Sequence, residues 1–326
     1  MAGAGGVPPM GEELALVADI GRQSVRFGLT GGDGGITPRE VRKFMTAEHP
    51  TFTSALVDYL NIVGLQDARL PSVLAVAGAA RGDLINLTGS RWYISLSGVE
   101  AVLRVRPRAL NECAANALAL TTLPAAAFTR LAGPAPKAVE PGGNYVVIGI
   151  GTGLGVSALI STGDRLVPVE SEAGHMDFAA TSTDERSFAH YCTAKGMHFD
   201  VESLLSAPGL LLGYEALSGG RKLEKPEDVT RGIGRDPVST AVVKLYVEHL
   251  GAFAGDLVLA FGAWDGVFLT GAIARALQPQ LMDPGFRRRM ESKASFRRQL
   301  AEVPVSLVNR NDLELLGAAA AAFGNA

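Results

Sequence analysis

The hydrophobic pattern opens with two short apolar runs, residues 14–20 (LALVADI) and 25–29, separated by a polar stretch that begins at Gly21. Short β-branched apolar runs bounded by glycine predict strand, turn, strand. The same grammar returns at residues 145–160, where YVVIGI and LGVSALI flank Gly151-Thr152-Gly153. The two hairpins lie about half a chain apart, which predicts two related lobes. Strand and helix patterns alternate after each, so the class is α/β. Residues 132–143, rich in Pro and Gly, predict a surface connection between the lobes. A short helix is predicted at 226–231 within an exposed loop, and an alanine-rich helix at 314–323 with Gly317 as a packing glycine. The most apolar long stretch, 250–277, is interrupted by Asp256, Asp265 and several glycines, so it predicts buried helix, turn and strand in place of a membrane span.

Composition narrows the classes. With 47% hydrophobic and 19% charged residues among 326, the chain can bury ample cores and lacks the signature of wholesale disorder. A formal net charge of -3 and the absence of a long basic run argue against a nucleic-acid binder. Arg287, Arg288 and Arg289, with Arg297 and Arg298 beyond, predict the solvated face of a helix. Two cysteines, Cys113 and Cys192, cannot make a disulfide framework, and a reducing cytoplasm is expected. The opening MAGAGGVPPMGEE has no basic n-region or apolar h-region, so residues 1–12 are expected to be a disordered lead and not a signal peptide.

Three places carry candidate chemistry. A strand ending Asp19-Ile20-Gly21 puts a carboxylate beside a turn whose N–H groups can face a phosphate, with the acid available to Mg²⁺ through water. The second turn, Gly151-Thr152-Gly153-Leu154-Gly155, lets backbone approach an anion and adds a hydroxyl. It has neither the Lys of a Walker loop nor the spacing of a dinucleotide fingerprint. Glu172, His175 and Asp177 gather within residues 170–178. That cluster fits a charged surface loop, a metal site, or a grip on vicinal sugar hydroxyls, each of which both donates and accepts. Asn111 and Glu112 stand between an apolar run and a helix-like stretch, as site residues or as an ordinary helix start.

The ordered series of motifs resembles bacterial glucokinases of the non-ROK type, in the actin-like ATPase and hexokinase superfamily, from about residue 14 to about 322. Those proteins carry D-x-G-G-T-N, an N-D pair, G-T-G-L-G, E-x-G-H and E-R-x-x-S-G-P-G-L. The chain has Asp19-Ile20-Gly21, Asn111-Glu112, the 151–155 turn, Glu172-Ala173-Gly174-His175, and Glu202 in ESLLSAPGL. It also has AVAGAARGD from Ala75, Lys293 with Phe296, PVSLV from Pro304 and LLGAAAA from Leu315. The resemblance implies a two-lobed actin-like (ribonuclease H-like) fold with a cleft between a small domain, 13–122 plus 303–326, and a large domain, 123–302. It implies Mg²⁺-dependent phosphoryl transfer from ATP to the 6-hydroxyl of glucose or a related hexose. A homodimer is implied, with neither nucleic acid nor membrane as partner. Glu112 would be the general base. Asn111, Glu172, His175 and Glu202 would orient the sugar, Asp19 would hold Mg²⁺ through water, and Gly21, Arg22, Gln23, Gly151, Thr152, Gly153, Gly155 and Gly271 would bind the nucleotide.

The chain departs from that pattern at identifiable places. Arg22-Gln23-Ser24 replaces G-T-N, Glu112 replaces an Asp, Gly89 stands where an Asn is usual, and Ala272 replaces a second adenosine-side glycine. Arg22 either grips a phosphate or obstructs the nucleotide. The alternative to a glucokinase is therefore an impaired sugar-binding paralogue or a kinase of another hexose. A ROK-type repressor or zinc-bearing ROK kinase is disfavoured by the lack of a cysteine cluster and of room for an N-terminal helix-turn-helix.

Overall fold

In the computed structural model, which describes residues 13–32, 35–78, 80–87 and 89–323, the first apolar run forms strand β1 (Ala15–Ile20). The second forms β2 (Ser24–Thr30), antiparallel to β1 with Ile20 opposite Val25. The lead expected over residues 1–12 lies outside the described residues. Next along the chain come β3 (Arg39–Met45), β4 (Ser72–Val76), a small separate hairpin of β5 (Leu84–Asn86) and β6 (Tyr93–Ser95), and β7 (Arg108–Asn111). The first sheet has the order β3-β2-β1-β4-β7, with β4 parallel to both β1 and β7. β1 is central and nearly continuously buried, as an apolar run with both faces covered should be. β3 is an exposed edge carrying Arg39, Arg42 and Lys43, charges that discourage further strand pairing.

The second hairpin repeats the plan. After β8 (Phe128–Ala132), strands β9 (Tyr145–Ile150) and β10 (Leu154–Thr162) pair antiparallel, followed by β11 (Arg165–Ser171), β12 (Gly266–Thr270) and β13 (Val305–Val308). The order is β11-β10-β9-β12-β13-β8, with β9, β12 and β13 mutually parallel. Each sheet thus grows from its glycine hairpin through two parallel strands. The stretch 250–277 is the end of the long helix Pro237–Phe261, a left-handed Gly262 cap, and β12, as its apolar pattern predicted. Among the described residues no helix is long and apolar enough to cross a membrane.

The chain divides into two compact units. Unit 1 holds the described residues up to Leu123, Arg165–Pro168, and the chain from Asp312; unit 2 holds Pro124–Asp164 and Val169–Asn311. Each has its own apolar core, one built around Phe27, Phe52, Tyr59 and Trp92, the other around Phe188, Tyr246, Phe253 and Phe286. The return to unit 1 comes later than residue 303, where the sequence placed it. β13 bonds on one side to β12 and on the other to β8, so residues 303–311 belong with unit 2.

Two packing details correct or extend the sequence reading. The arginine run is not a uniformly solvated face. Arg288 is exposed, but Arg287 donates to the carbonyls of Val303 and Leu300 and pairs with Glu291, and Arg289 reaches the buried Glu185 at 2.9 Å. Helical spacing places three arginines on three different faces, and even the exposed Arg288 pairs with Glu248 at 2.7 Å. In unit 1, the helix Leu313–Ala322 crosses the helix Glu112–Ala119 so closely that a Cβ on Gly317 would lie 1.7 Å from the carbonyl oxygen of Ala115.

Gly317→Ala should therefore force the two helices apart, at an overpacking cost of about 1–3 kcal/mol or more. Urea denaturation of the variant should show a lower midpoint, and an unchanged midpoint would contradict this contact.

Candidate active site

In unit 1, the turn between β1 and β2 closes with one hydrogen bond, from Gly21 N–H to the Ser24 carbonyl at 3.0 Å. The N–H groups of Arg22 and Gln23 have no acceptor among the described residues. The turn is fixed from behind, because the Gln23 carbonyl accepts from both the N–H and the hydroxyl of Thr46. Asp19 sits directly across the hairpin from Arg26, and the guanidinium meets its Oδ2 at 2.7 Å. Arg26 also reaches Glu314, 288 residues away in the chain, at 3.3 Å. Burial raises the Asp19 carboxyl above its ordinary value, and Arg26 offsets part of that rise; Glu314 is raised by burial and by the nearby Asp19. Two carboxyls thus share one guanidinium, and one oxygen of Asp19 is already committed.

Asn111 ends β7 and caps the helix Glu112–Ala119. Its Oδ1 accepts from Cys113 N–H at 2.7 Å and its Nδ2 donates to the Gly78 carbonyl at 3.1 Å. The ordinary helix-start reading thus describes its local role, and the cap sets Glu112 as the first helical residue, where the positive end of the helix dipole favours a carboxylate. Sheet register brings Asn111 level with Val76, one strand over from the β1 that ends beside the turn.

Unit 2 gathers its three motifs. The turn after β9 closes with a bond from Gly151 N–H to the Gly153 carbonyl at 2.9 Å, and among the described residues the N–H groups of Thr152 and Gly153 have no acceptor. Gly151 has open space where a side chain would stand. The Gly151 carbonyl accepts from Ala207 N–H at 2.8 Å, and Leu154 N–H donates to the Glu202 carboxylate at 2.6 Å. A Cβ on Gly153 would lie 2.8 Å from the same carboxylate, and one on Gly174 would lie 2.3 Å from the Leu154 carbonyl. Glu202 N–H in turn donates to the Gly174 carbonyl at 2.8 Å. Turn 151–155, turn 172–175 and Glu202 are therefore one hydrogen-bonded body. Gly271, at φ 100°, backs onto it, since any Cβ there would meet the Ile150 carbonyl at 2.1 Å.

His175 ends the single 3₁₀ turn that Glu172 opens, and its Nδ1 lies 2.7 Å from Asp200 Oδ2. Asp200 itself is fixed by Ser203, whose N–H and hydroxyl both donate to Oδ1. Asp177, one of the three residues of the predicted cluster, is exposed and forms an isolated antiparallel β-bridge with Asp200. Among the described residues no group of three His, Cys, Asp or Glu side chains is arranged to hold a metal, so the metal reading of this cluster finds no support. The hydrogen bond to Asp200 raises the His175 pKa, against desolvation, with Glu202 and Glu172 adding to the rise. Asp200 is lowered, because the His175 and Ser203 bonds outweigh the burial that would raise it. Sequence reasoning missed Asp200, Arg26 and Glu314. Only Arg26 had a signal, since pairing Ile20 with Val25 puts it opposite Asp19.

A buried cluster supports this body from below. Glu185 accepts from Thr181 and Ser182 backbone N–H groups and pairs with His249 at 3.0 Å, while Phe178 stacks on the His249 ring at 4.0 Å. Burial would raise the Glu185 carboxyl, but those hydrogen bonds, led by His249, drive it far below the usual range.

The His175–Asp200 pair has a defined pH window. A raised His contributes stability in full below its unfolded value near 6.5 and loses it as pH climbs through the folded value; a lowered Asp contributes above about 3.9 and loses it on acidification. The pair is thus fully effective between about pH 4 and 6.5. NMR titration of His175 should give a midpoint above 6.5 that falls in Asp200→Asn, and an equal midpoint in both would contradict the pairing.

The glucokinase family model matches residues 16–324. A glucokinase of Stenotrophomonas maltophilia (strain K279a) is 36% identical over 315 residues, covering 94% of this chain and 93% of its own. The crystal structure of a glucokinase from an Antarctic psychrotroph superposes with a TM-score of 0.83 at 27% identity, covering 96% of this chain and 99% of that one. At 19% identity the glucokinase of Balamuthia mandrillaris, solved with glucose, shares the fold with a TM-score of 0.80, covering 98% and 96%. With the family matched along nearly the whole described length and the actin-like sugar-kinase fold shared, this chain belongs to the glucokinase family.

Proposed function

We propose that this protein transfers the terminal phosphoryl group of ATP to the 6-hydroxyl of glucose, giving glucose 6-phosphate and ADP. The observation that carries the reading is the single hydrogen-bonded body of unit 2, in which Glu202 ties the glycine turn to the Glu172–His175 turn. Phosphoryl transfer asks for alignment, charge neutralisation and a base, and these residues divide that work. Arg22 and Gln23 N–H in unit 1 and Thr152 and Gly153 N–H in unit 2 offer donors to phosphate oxygens. Gly21, Gly151, Gly155 and Gly271 let backbone take those positions. Asn111, Glu172, His175 and Glu202 pair with sugar hydroxyls, with His175 pre-oriented by Asp200. Glu112 takes the proton of the attacking hydroxyl. The residues fit Mg²⁺ in an indirect role. Asp19 has one oxygen paired with Arg26, so it would hold the ion through water while phosphate supplies direct ligands, and the bound ion would neutralise phosphate charge. With only two cysteines in the chain, we assign it to the non-ROK branch of the superfamily.

A coupled ADP-release assay over glucose, mannose, fructose and N-acetylglucosamine tests the reading, with the largest kcat/KM expected for glucose. Glu112→Gln should lower kcat by about 10²–10⁴-fold with glucose affinity nearly intact. Glu172→Ala should weaken glucose binding by about 1–3 kcal/mol, because sugar hydroxyls lose a charged partner. Full kcat in Glu112→Gln would remove the base assignment, and ADP release with none of the four sugars would remove the function.

A further inference from the structure

We propose that Arg22, seated on the side-chain-free Gly89, is a phosphate ligand of the β1–β2 turn and biases the site toward donors with a run of phosphate charge. The inference rests on the kinase reading above and assigns a specific group to its donor side. Two of the positions at which the sequence departs from the pattern it resembles, 22 and 89, lie side by side in the fold. A Cβ on Gly89 would stand 2.8 Å from Arg22 Nε and 3.1 Å from its Cδ and Cζ. Cδ, Nε and Cζ of the arginine thus occupy the space a side chain at 89 would need, and the bulk absent at 89 is present at 22. Gly89 also has φ 68°, a conformation that most side chains resist.

Charge and position give the guanidinium its role. Arg22 is exposed, and among the described residues no carboxylate pairs with it. Asp19, the acid on the adjoining strand, is already engaged by Arg26 at 2.7 Å. The backbone around Arg22 is fixed at a distance: Thr46 holds the Gln23 carbonyl, and Arg91 Nη2 holds the carbonyls of Thr46, Ala47 and His49. A cation on a fixed turn, beside two N–H groups without acceptors, is a site for an anion with several oxygens. The planar guanidinium suits phosphate because its donors form a fork that matches two oxygens at once. A solely structural arginine would need only its bulk over Gly89, whereas a phosphate ligand needs its charge, which Arg22→Lys keeps and Arg22→Met removes.

The test is calorimetric titration of the full chain with inorganic tripolyphosphate and with ADP, in EDTA, for wild type, Arg22→Met, Arg22→Lys, Gly89→Asn and the double variant Arg22→Met/Gly89→Asn. Met keeps the stem and removes the charge, and Asn tolerates a left-handed backbone. Arg22→Met should bind tripolyphosphate about 10- to 100-fold more weakly with its thermal midpoint unchanged. Arg22→Lys should recover part of the loss. Gly89→Asn should weaken binding by displacing the arginine, and the double variant should be no weaker than Arg22→Met. Equal or tighter tripolyphosphate binding in Arg22→Met, or no binding by wild type, would overturn the proposal. If wild type releases ADP with glucose while Arg22→Met keeps full affinity, this inference fails and the kinase reading stands. If affinity depends on the Arg22 charge but no hexose is phosphorylated, the ligand assignment stands and the kinase reading fails.

Discussion

Each glycine hairpin keeps its shape with one cross-turn hydrogen bond while leaving two backbone donors without an acceptor among the described residues. Unpaired N–H groups are costly when buried and useful when a ligand can reach them, which is the basis for proposing that the turns receive an anion. The rest of the described structure serves that constraint. In unit 1, Thr46 holds the Gln23 carbonyl and Arg26 holds Asp19. In unit 2, Ala207 holds the Gly151 carbonyl, Glu202 takes the Leu154 N–H, and Gly174 and Gly271 let neighbouring backbone press against the turn. Glycine is needed at 174 and 271 for packing, whereas at 151 the surroundings are open and its absent side chain leaves access to the backbone.

Glu202 links the 151–155 turn to the turn that carries Glu172 and His175. Its carboxylate accepts from Leu154 N–H in the first turn while its own N–H donates to the Gly174 carbonyl in the second. In the proposed reading, a hexose hydroxyl that engages Glu202 would meet a group already bonded to the glycine turn. The buried Glu185, paired with His249 and Arg289, sits beneath the same body, and Phe178 on His249 connects it to the strand of chain that follows His175. Buried charge pairs seldom add net stability, but their loss is costly, which suits a foundation that has to stay in one arrangement.

Much of this was legible because it is periodic or local. The two hairpins follow from apolar runs punctuated by glycine, the buried segment 250–277 from its interruptions, and the close helix crossing from one glycine in an alanine run. The candidate residues Asn111, Glu112, Glu172, His175 and Glu202 were found by motif. What escaped lies in tertiary partners with no sequence spacing: Glu314 beside Arg26, Asp200 beside His175, Glu185 beneath Phe178 and His249. The return of the chain to unit 1 was misplaced because PVSLV reads as a generic strand, and only its pairing with β12 and β8 assigns it. The arginine run misled because charge alone does not reveal that Arg287 is tied to two backbone carbonyls.

The central claim is that the two hairpin turns, through their unbonded backbone donors, receive the phosphates. Amide NMR of the full chain, recorded as ADP is added, reads those donors one by one. The account predicts that the largest shifts fall on the N–H groups of Arg22, Gln23, Thr152 and Gly153, with Leu154 shifting less because Glu202 holds it. Saturable ADP binding that leaves those four amides in place and moves others would contradict it.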